Sequence, residues 1–309
     1  MAYAPLNIPS SHAITVVDED LRIVAILAGM PDGKEGWQRV CTEAAKELLK
    51  AGEILGGGKT HRRGEFQTLV TGFSFGGGQT RPMNCAQSKV KANLVQSLNK
   101  KECFQRIASF GSCEITLPLT IPFLTILVAV FESWAPKLHG YYKEKMGHLL
   151  DQDESLEKPF RSVFPAATYN LGPQTVCRPH LDFANLPFGY CVVTSFGQFD
   201  YRKGGHMVLD EYKLILEFPA GSTILIQSAI VTHSNLAVGE GETRYSFTQY
   251  AAGGLFRWVD NGFMTSAAAL KVLKEAEDEE GLMQRAEADT ERWRMGLGLV
   301  PKLYEYVDV

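Results

Sequence analysis

Eight short strand-like runs between residues 162 and 251 constrain the fold more than any other feature of the chain. They are separated by Gly, Pro, Asn and Asp residues and cover 162–171, 175–183, 190–196, 206–209, 213–218, 223–226, 230–235 and 244–251. Because β-branched and aromatic residues favour extended chain and the separating residues favour turns, the pattern predicts consecutive short strands. Eight such strands fit a small barrel or a jelly roll.

Helical patterns flank this region on both sides. Apolar residues recur at helical spacing over 35–51, at positions 37, 40, 41, 44, 48 and 49, and Gly52 is the expected C-cap. Further helices are expected over 90–107, over 121–150 with a second helix from about Pro136, and over 261–297. Strand-like runs at 13–17, 21–27 and 66–75 complete the N-terminal part.

Together these elements predict an α+β fold, with a jelly-roll core flanked by N-terminal and C-terminal helices. We expect a single catalytic domain over 1–309. It would have an N-terminal α/β part over 1–160, a β core over 161–260 and C-terminal helices over 261–309.

Composition excludes several classes of protein. With 45% apolar and 21% charged residues the chain is an ordinary globular one. Residues 1–11 lack the pattern of a secretory leader, and the longest apolar run, 117–131, is shorter than the roughly 20 residues of a membrane span. The six cysteines have no zinc-like spacing, so we expect reduced thiols, no zinc module and an intracellular protein without membrane contact.

The charge is distributed unevenly along the chain. The formal net charge is −4, yet residues 59–110 contain nine basic and two acidic residues, a local charge of +7. A basic region of this size can follow a phosphate backbone, whereas the alternative is a solvated surface with uneven charge.

Two glycine-rich segments lie in or beside this basic region. The first, 56–60, resembles a phosphate loop, but the full pattern requires glycine at position 53, where the chain has Glu53. The second contains Gly77, Gly78 and Gln79 after a strand-like run. Close to Arg62 and Arg63, it is interpreted as a substrate loop, with a mobile hairpin tip as the alternative.

The strand-rich region contains a set of candidate metal ligands. His180 and Asp182 form an HxD sequence, and His233 follows 53 positions after His180 on a later strand-like run. Two imidazoles and one carboxylate are the ligand set that binds non-haem Fe(II) and leaves other positions open. His206 stands alone on its strand and is kept out of the metal set, although it could line the pocket.

A basic residue follows the second histidine closely. Arg244 and Ser246 lie two apart on one strand, so their side chains point the same way. A guanidinium pairs bidentately with a carboxylate and a hydroxyl can add a further bond, which predicts a carboxylate-binding pair. The alternative is a surface ion pair of Arg244 with Glu240 or Glu242.

Two asparagines flank these groups. Asn170, on the preceding strand, could donate to the same acid or orient a ligand. Asn185, just after the HxD sequence, could contact substrate or stabilise the turn that follows the strand.

Longer runs of residues carry a resemblance to a known family. They are 168–172 (TYNLG), 175–185 (TVCRPHLDFAN), 204–206 (GGH), 221–223 (GST), His233, 244–250 (RYSFTQY) and 253–258 (GGLFRW). These runs resemble the 2-oxoglutarate/Fe(II) dioxygenases of the TET/JBP group, and most closely its fungal, transposon-associated branch. The resemblance is strong over about a third of the chain.

The resemblance implies a double-stranded β-helix with iron on His180, Asp182 and His233. It also implies that Arg244 and Ser246 hold 2-oxoglutarate, that O2 is the oxidant, and that the methyl group of 5-methylcytosine in DNA is oxidised. The cysteine-rich zinc region of animal members is absent, so the basic region would have to hold the DNA.

The expected partner is therefore methylated double-stranded DNA, and the enzyme is expected to be nuclear and monomeric. The residues expected near the substrate are Arg62, Arg63, Asn185, His206 and the glycine loop. Asp260, after the expected Gly253-Gly254 turn, could accept a hydrogen bond from an exocyclic amino group, which would make N6-methyladenine a second substrate. A solvated turn aspartate is the alternative. A dioxygenase of the same fold acting on protein or a small molecule, and a non-catalytic binding module, remain open.

Overall fold

Residues 4–6, 13–31, 34–56, 60–112 and 129–306 are described by the structure, which is a computed structural model. The segments 57–59 and 113–128 lie outside them, and with them Lys59 and most of the expected apolar run at 117–131. Within the described residues, no helix combines the length and apolar character needed to cross a membrane.

A large antiparallel sheet forms the backbone of the fold. In order across the sheet, its eight strands are β2 (Ile14–Val17), β3 (Ile23–Gly29), β12 (Thr223–Ile226), β9 (Cys191–Gln198), β14 (Thr243–Tyr250), β8 (Ala166–Leu171), β6 (Gln67–Ser74) and β7 (Met83–Asn84). The N-terminal strands extend both edges of the sheet, so the N-terminal part and the C-terminal strands share one hydrogen-bonded layer.

A smaller sheet faces the large one. Its order is β1 (Ala4–Leu6), β11 (Leu214–Leu216), β10 (Met207–Leu209) and β13 (His233–Asn235). From β9 in the large sheet the chain passes to β10 and β11 in the small sheet, back to β12, across to β13 and finally to β14 in the large sheet, which is the connectivity of a double-stranded β-helix. The expected α+β fold with a jelly-roll core is confirmed.

One of the eight expected strands does not form. Residues 175–183 are extended, but their ladder contacts are single bridges, Gln174 to Arg244 and His180 to His233. Pro179 has no N–H to donate, and the N–H of Arg178 bonds the carbonyl of Arg63 at 2.7 Å instead. Arg63 belongs to the turn of a small hairpin made of β4 (Thr60–His61) and β5 (Gly64–Glu65).

Eight helices are present in the part of the chain that the structure describes. They are α1 (Lys34–Leu55), α2 (Lys89–Asn99), α3 (Glu102–Gly111), α4 (Val130–Trp134), α5 (Pro136–Gln152), α6 (Gly253–Asp260), α7 (Ser266–Glu275) and α8 (Glu279–Leu299). A short 3-10 helix, Leu303–Glu305, follows.

Three expectations about the helices were wrong. Helix α1 continues past Gly52 and ends before Gly56, whose φ of +70° is the left-handed conformation of a C-cap glycine. Within α1, Leu49 is exposed and Ala51 is buried in its place. The helix expected over 90–107 is two helices, because the Asn99 side chain ties the end of α2 to the sheet through bonds to Thr71 and Tyr169.

The segment at Gly253-Gly254 is the first turn of helix α6 rather than a free turn. A side chain at position 254 would place its Cβ 2.3 Å from the carbonyl oxygen of Phe75. Glycine therefore allows α6 to lie directly against the end of β6, where the Phe75 ring also meets Trp258 edge-on at 5.1 Å.

The structure has two apolar cores. One lies between the helices and the outer face of the large sheet and contains Trp37, Phe104, Tyr142, Tyr169 and Phe247. The other lies between the two sheets and is smaller. Side chains alternate along β14. Tyr245 and Phe247 therefore enter the helical core, and Arg244, Ser246 and Thr248 face the interior of the β-helix.

We expect Gly254→Ala to lower the free energy of unfolding by about 1–3 kcal/mol, because the new methyl group overlaps a backbone oxygen that cannot move freely. Gly140→Ala, in the interior of α5, is the matched control. Its Cβ meets nothing within 4 Å, so helix propensity should raise stability by about 0.5–1 kcal/mol. Denaturant unfolding measures both. Equal effects of the two substitutions would contradict the proposed contact.

Candidate metal centre

Two backbone hydrogen bonds hold the two histidines of the candidate site opposite each other. The N–H of His180 donates to the carbonyl of His233, and the N–H of His233 donates to the carbonyl of His180, both at 3.1 Å. The N–H of Asp182 bonds the carbonyl of Ser228 at 2.8 Å. The HxD segment is thus positioned by the edge of the small sheet although it is not itself a regular strand.

The side-chain hydrogen bonds determine which ring nitrogen of each histidine is available. His180 Nδ1 lies 2.8 Å from the carbonyl of Arg178, and His233 Nδ1 lies 3.0 Å from the carbonyl of Val231. A carbonyl only accepts, so each Nδ1 carries the proton and each Nε2 keeps its lone pair. Backbone carbonyls orient metal-binding histidines in the same way.

Both free nitrogens point at one carboxylate. His180 Nε2 lies 3.8 Å from Asp182 Oδ1, and His233 Nε2 lies 3.8 Å from Asp182 Oδ2. All three ligand atoms lie within 4.8 Å of one another. Within the described residues, this is the one group of three His, Cys, Asp or Glu side chains close enough to hold an ion.

The electrostatic environment favours metal over protons at this site. Burial, together with the nearby His233, lowers the pKa of His180 to about 4, so its ring is neutral near pH 7. Burial also raises the pKa of the nearby Cys191 thiol to about 12, so it does not compete as a thiolate. Two imidazole nitrogens and one carboxylate fit Fe(II) with open coordination positions.

The cleft beside this group contains a buried cation. Arg244 is 2% exposed, and its Nη1 donates to the carbonyl and the hydroxyl of Thr175 at 3.1 and 3.2 Å. Its Nε has no hydrogen-bond partner, and among the described residues no carboxylate pairs with it. Burial lowers the pKa of Arg244 to about 10, which still leaves it charged near pH 7.

Burying a charge without a counter-ion is energetically unfavourable. An anionic ligand is the simplest explanation for the buried Arg244. The alternative interpretation, a surface ion pair of Arg244 with Glu240 or Glu242, is wrong. Arg244 is buried, and the Glu242 carboxylate accepts from the backbone N–H groups of Gly239 and Asp200 at 2.6 and 2.7 Å.

Two further polar groups face the same space. Ser246 lies opposite Asn170 in the register of β14 and β8, and the Asn170 amide donates to the Ser246 hydroxyl at 2.9 Å. The hydroxyl can still donate its own proton, and Asn170 Oδ1 is buried without a partner. Arg244 and Ser246 therefore offer N–H and O–H donors that fit the distal carboxylate of 2-oxoglutarate, and Asn170 orients the Ser246 hydroxyl.

Residues outside the motifs complete the cleft. The lining also includes Arg63, Cys177, Cys191, Val193, Met207, Ser234, Asn235 and Thr248. Thr248 could have been found from the two-residue period of β14, since it follows Arg244 and Ser246 on one face. The thiols and Met207 carry no comparable sequence signal, because their position depends on how the two sheets face each other.

The β4–β5 hairpin holds the HxD segment from the outside. Arg62 Nη1 donates to the carbonyl of Leu181 at 3.0 Å, and its Nη2 lies 3.5 Å from Asp182 Oδ1. Arg63 lines the cleft itself. Arg178 forms an ion pair with Glu65 at 2.9 Å. The two arginines expected near substrate are therefore beside the metal ligands.

Other expected substrate residues lie elsewhere. Asn185 donates to the Ser228 hydroxyl at 3.0 Å and supports the loop after Asp182. The Gly77-Gly78-Gln79 loop is a hairpin tip whose Gln79 side chain accepts from the Gly76 N–H at 2.9 Å. Gly77 and Gly78 are exposed with positive φ, and none of the three is among the described residues that line the cleft.

His206 and Asp260 are also outside the lining of the cleft as far as the described residues go. The next residue after His206, Met207, does line the cleft. Asp260 ends helix α6, where its two carboxylate oxygens contact Lys145 at 2.7 Å and Arg292 at 3.3 Å. It joins three helices rather than standing free in a turn.

No protein-family model matches this chain, and no curated protein matches it. Among solved structures, NgTET1 in complex with 5mC DNA matches with a TM-score of 0.47 and 14% identity, over 85% of this chain and 84% of that one. A 2OG-Fe(II) oxygenase family oxidoreductase from Burkholderia pseudomallei matches with a TM-score of 0.34 and 13% identity, over 67% and 77% of the two chains. A Pseudomonas putida prolyl-4-hydroxylase matches with a TM-score of 0.31 and 13% identity, over 70% of this chain and 87% of that one. At these values activity has to be inferred from the residues of the site.

We expect His180→Ala to weaken divalent-metal binding by more than about 100-fold, since losing only an outer-sphere partner already costs 10- to 100-fold. His148→Ala, on the exposed side of α5, is the matched control and should bind metal like the wild type. Titration with Mn(II) or Co(II), followed by calorimetry or Co(II) absorption, measures the difference. Equal affinities of the two variants would rule out His180 as a ligand.

Arg244→Met should separate ligand binding from stability. Removing an unpaired buried charge should leave Tm unchanged or raised. The Kd for 2-oxoglutarate, measured anaerobically with Mn(II) bound, should rise at least about tenfold through the lost charge-assisted bonds. Arg202→Met, at an exposed position, is the control. Unchanged 2-oxoglutarate affinity in Arg244→Met would contradict this assignment.

Proposed function

We propose that the protein is an Fe(II)- and 2-oxoglutarate-dependent dioxygenase that oxidises the methyl group of 5-methylcytosine in DNA. The observation that carries the proposal is a His-Asp-His group beside a buried arginine that has no carboxylate partner among the described residues. A metal site and an anion site in one cleft are what a metal-bound keto acid requires, because one end of the molecule ligates the ion and the other needs a counter-charge.

When bound together, the metal, 2-oxoglutarate and O2 supply the oxidising power: the keto acid becomes succinate and CO2, one oxygen atom enters succinate and the other enters the substrate. The residues of this chain bind and orient these groups. Arg244 and Ser246 would hold the distal carboxylate, and the Nδ1 bonds of His180 and His233 keep both Nε2 lone pairs directed at the ion.

The depth of the site bears on how a DNA substrate would enter. The two histidine side chains are 7% and 9% exposed, so an ion bound by them would lie below the protein surface. A methyl group inside a base-paired duplex cannot reach such a position, and the nucleotide has to leave the stack at a cost of a few kcal/mol. Arg62 and Arg63 stand at the edge of this entrance, where they can bind phosphate.

The choice of 5-methylcytosine rests on the resemblance of the sequence motifs to the TET/JBP group and on the basic region. Stepwise products, from hydroxymethyl to formyl to carboxyl, follow from repeated reaction at the same carbon. N6-methyladenine is less well supported. A base that bonded Asp260 would have to displace its ion pairs with Lys145 and Arg292.

We expect the protein with Fe(II), 2-oxoglutarate and a methylated duplex to release succinate and to give oxidised cytosine nucleosides, measured by mass spectrometry after digestion. A duplex with N6-methyladenine and an unmethylated duplex are run in parallel. Asp182→Ala should abolish product, whereas Asp200→Ala, at an exposed loop carboxylate, should not. Succinate release without any DNA product would indicate a dioxygenase with a protein or small-molecule substrate. Absence of both would indicate a binding module.

A further inference from the structure

Phe183 is the most exposed of the large apolar side chains in the part of the chain that the structure describes. It is 75% exposed and follows the metal-binding residue Asp182 directly. Leu181, on the other side of Asp182, is also exposed. An exposed aromatic ring loses the free energy that burial would contribute, so a ring at this position beside the candidate metal site is a candidate contact for a ligand.

The ring is held in place by an arginine that also contacts the metal carboxylate. The guanidinium of Arg62 lies over the Phe183 ring at 5.2 Å from its centroid. The same guanidinium donates to the carbonyl of Leu181 and approaches Asp182 Oδ1 at 3.5 Å. One planar cation therefore joins the exposed ring to the metal site, and the ring is preorganised beside the entrance.

The charge beside the HxD segment favours an anionic partner. Arg62 contacts both the ring and Asp182, Arg63 lines the cleft, and Arg178 pairs with Glu65, so three guanidinium groups stand against two carboxylates. A bound divalent ion would make the local surface still more positive. An exposed aromatic face next to cations matches an unpaired nucleotide, whose base stacks and whose phosphate binds the cations.

We infer that Phe183 is a stacking platform for an unpaired nucleobase at the entrance of the metal site, with Arg62 fixing the ring. The inference rests on the proposed function and names a substrate contact for it. Stacking on one aromatic side chain is tolerant of base identity, so the platform would contribute affinity for the opened strand rather than recognition of the methyl group.

A photochemical cross-link tests the contact directly. A short single-stranded oligonucleotide with 5-iodouracil in place of the methylated base is bound to the protein loaded with Mn(II) and 2-oxoglutarate, and irradiated in the near ultraviolet. A stacked aromatic ring is the preferred site of cross-linking. We expect the cross-linked peptide to contain Phe183. A cross-link that maps only to other peptides would overturn the inference.

Affinity gives an independent measurement. Phe183→Ala and Phe183→Leu should both weaken binding of the same oligonucleotide by about 5- to 150-fold, since Leu keeps the apolar bulk but removes the aromatic face. Phe183→Tyr should bind like the wild type. Tyr304→Ala is the matched control, because Tyr304 is 53% exposed beneath the Lys302 ammonium at 5.7 Å from its ring centroid. Mn(II) affinity, measured for each variant, should stay at the wild-type value and shows that the site has folded.

The outcomes separate the platform from the proposed function. A cross-link at Phe183 and weaker binding by Phe183→Ala, without any oxidised nucleoside from the wild type, would support the platform and contradict the proposed activity. Oxidised cytosine together with equal affinities of the wild type and Phe183→Ala would support the activity and contradict the platform. A ring that served a peptide side chain would leave oligonucleotide binding unchanged and would also overturn the inference.

Discussion

The reciprocal pair of backbone hydrogen bonds between His180 and His233 is the constraint on which the candidate site depends. Together with the bond from the Asn235 N–H to the Cys177 carbonyl at 3.2 Å, it joins the HxD segment to β13. It thereby brings together ligands that are 53 residues apart in sequence. The rest of the site uses the backbone in the same way. Carbonyls of Arg178 and Val231 orient the rings, and the carbonyl of Ser228 positions Asp182. Backbone hydrogen bonds therefore set the positions of all three ligand side chains.

The burial of Arg244, in contrast, is energetically unfavourable in the absence of a ligand. Its guanidinium is removed from water and has hydrogen bonds to Thr175 but, among the described residues, no opposing carboxylate. Burying this charge lowers the free energy of unfolding, and a bound carboxylate ligand would offset that loss. Asn170, whose Oδ1 is also buried without a hydrogen-bond partner, lines the same cleft.

Groups that could contact substrate come from different layers of the structure. The ligand-binding residues lie on β8, β13, β14 and the HxD segment, which the two sheets hold rigidly. The β4–β5 hairpin belongs to the N-terminal part, yet it contributes Arg62 and Arg63 to the edge of the cleft. The Gly77-Gly78 loop follows Phe75, which contacts Gly254 at the start of helix α6, and Asp260 ends the same helix, where it pairs with Lys145 of α5.

The sequence by itself determined the period-two strands, the helical faces and the ligand set, because alternation, apolar spacing and residue chemistry are local properties. It also indicated Arg244 and Ser246 as one pair, since two residues on a strand share a face. The tertiary structure alone decided that residues 175–183 form no strand, that Arg244 is buried without an opposing carboxylate among the described residues and that Asp260 pairs with residues of two other helices. It also decided that Arg62 stands between Asp182 and Phe183. These facts depend on contacts between segments distant in sequence, and no local pattern encodes such distances.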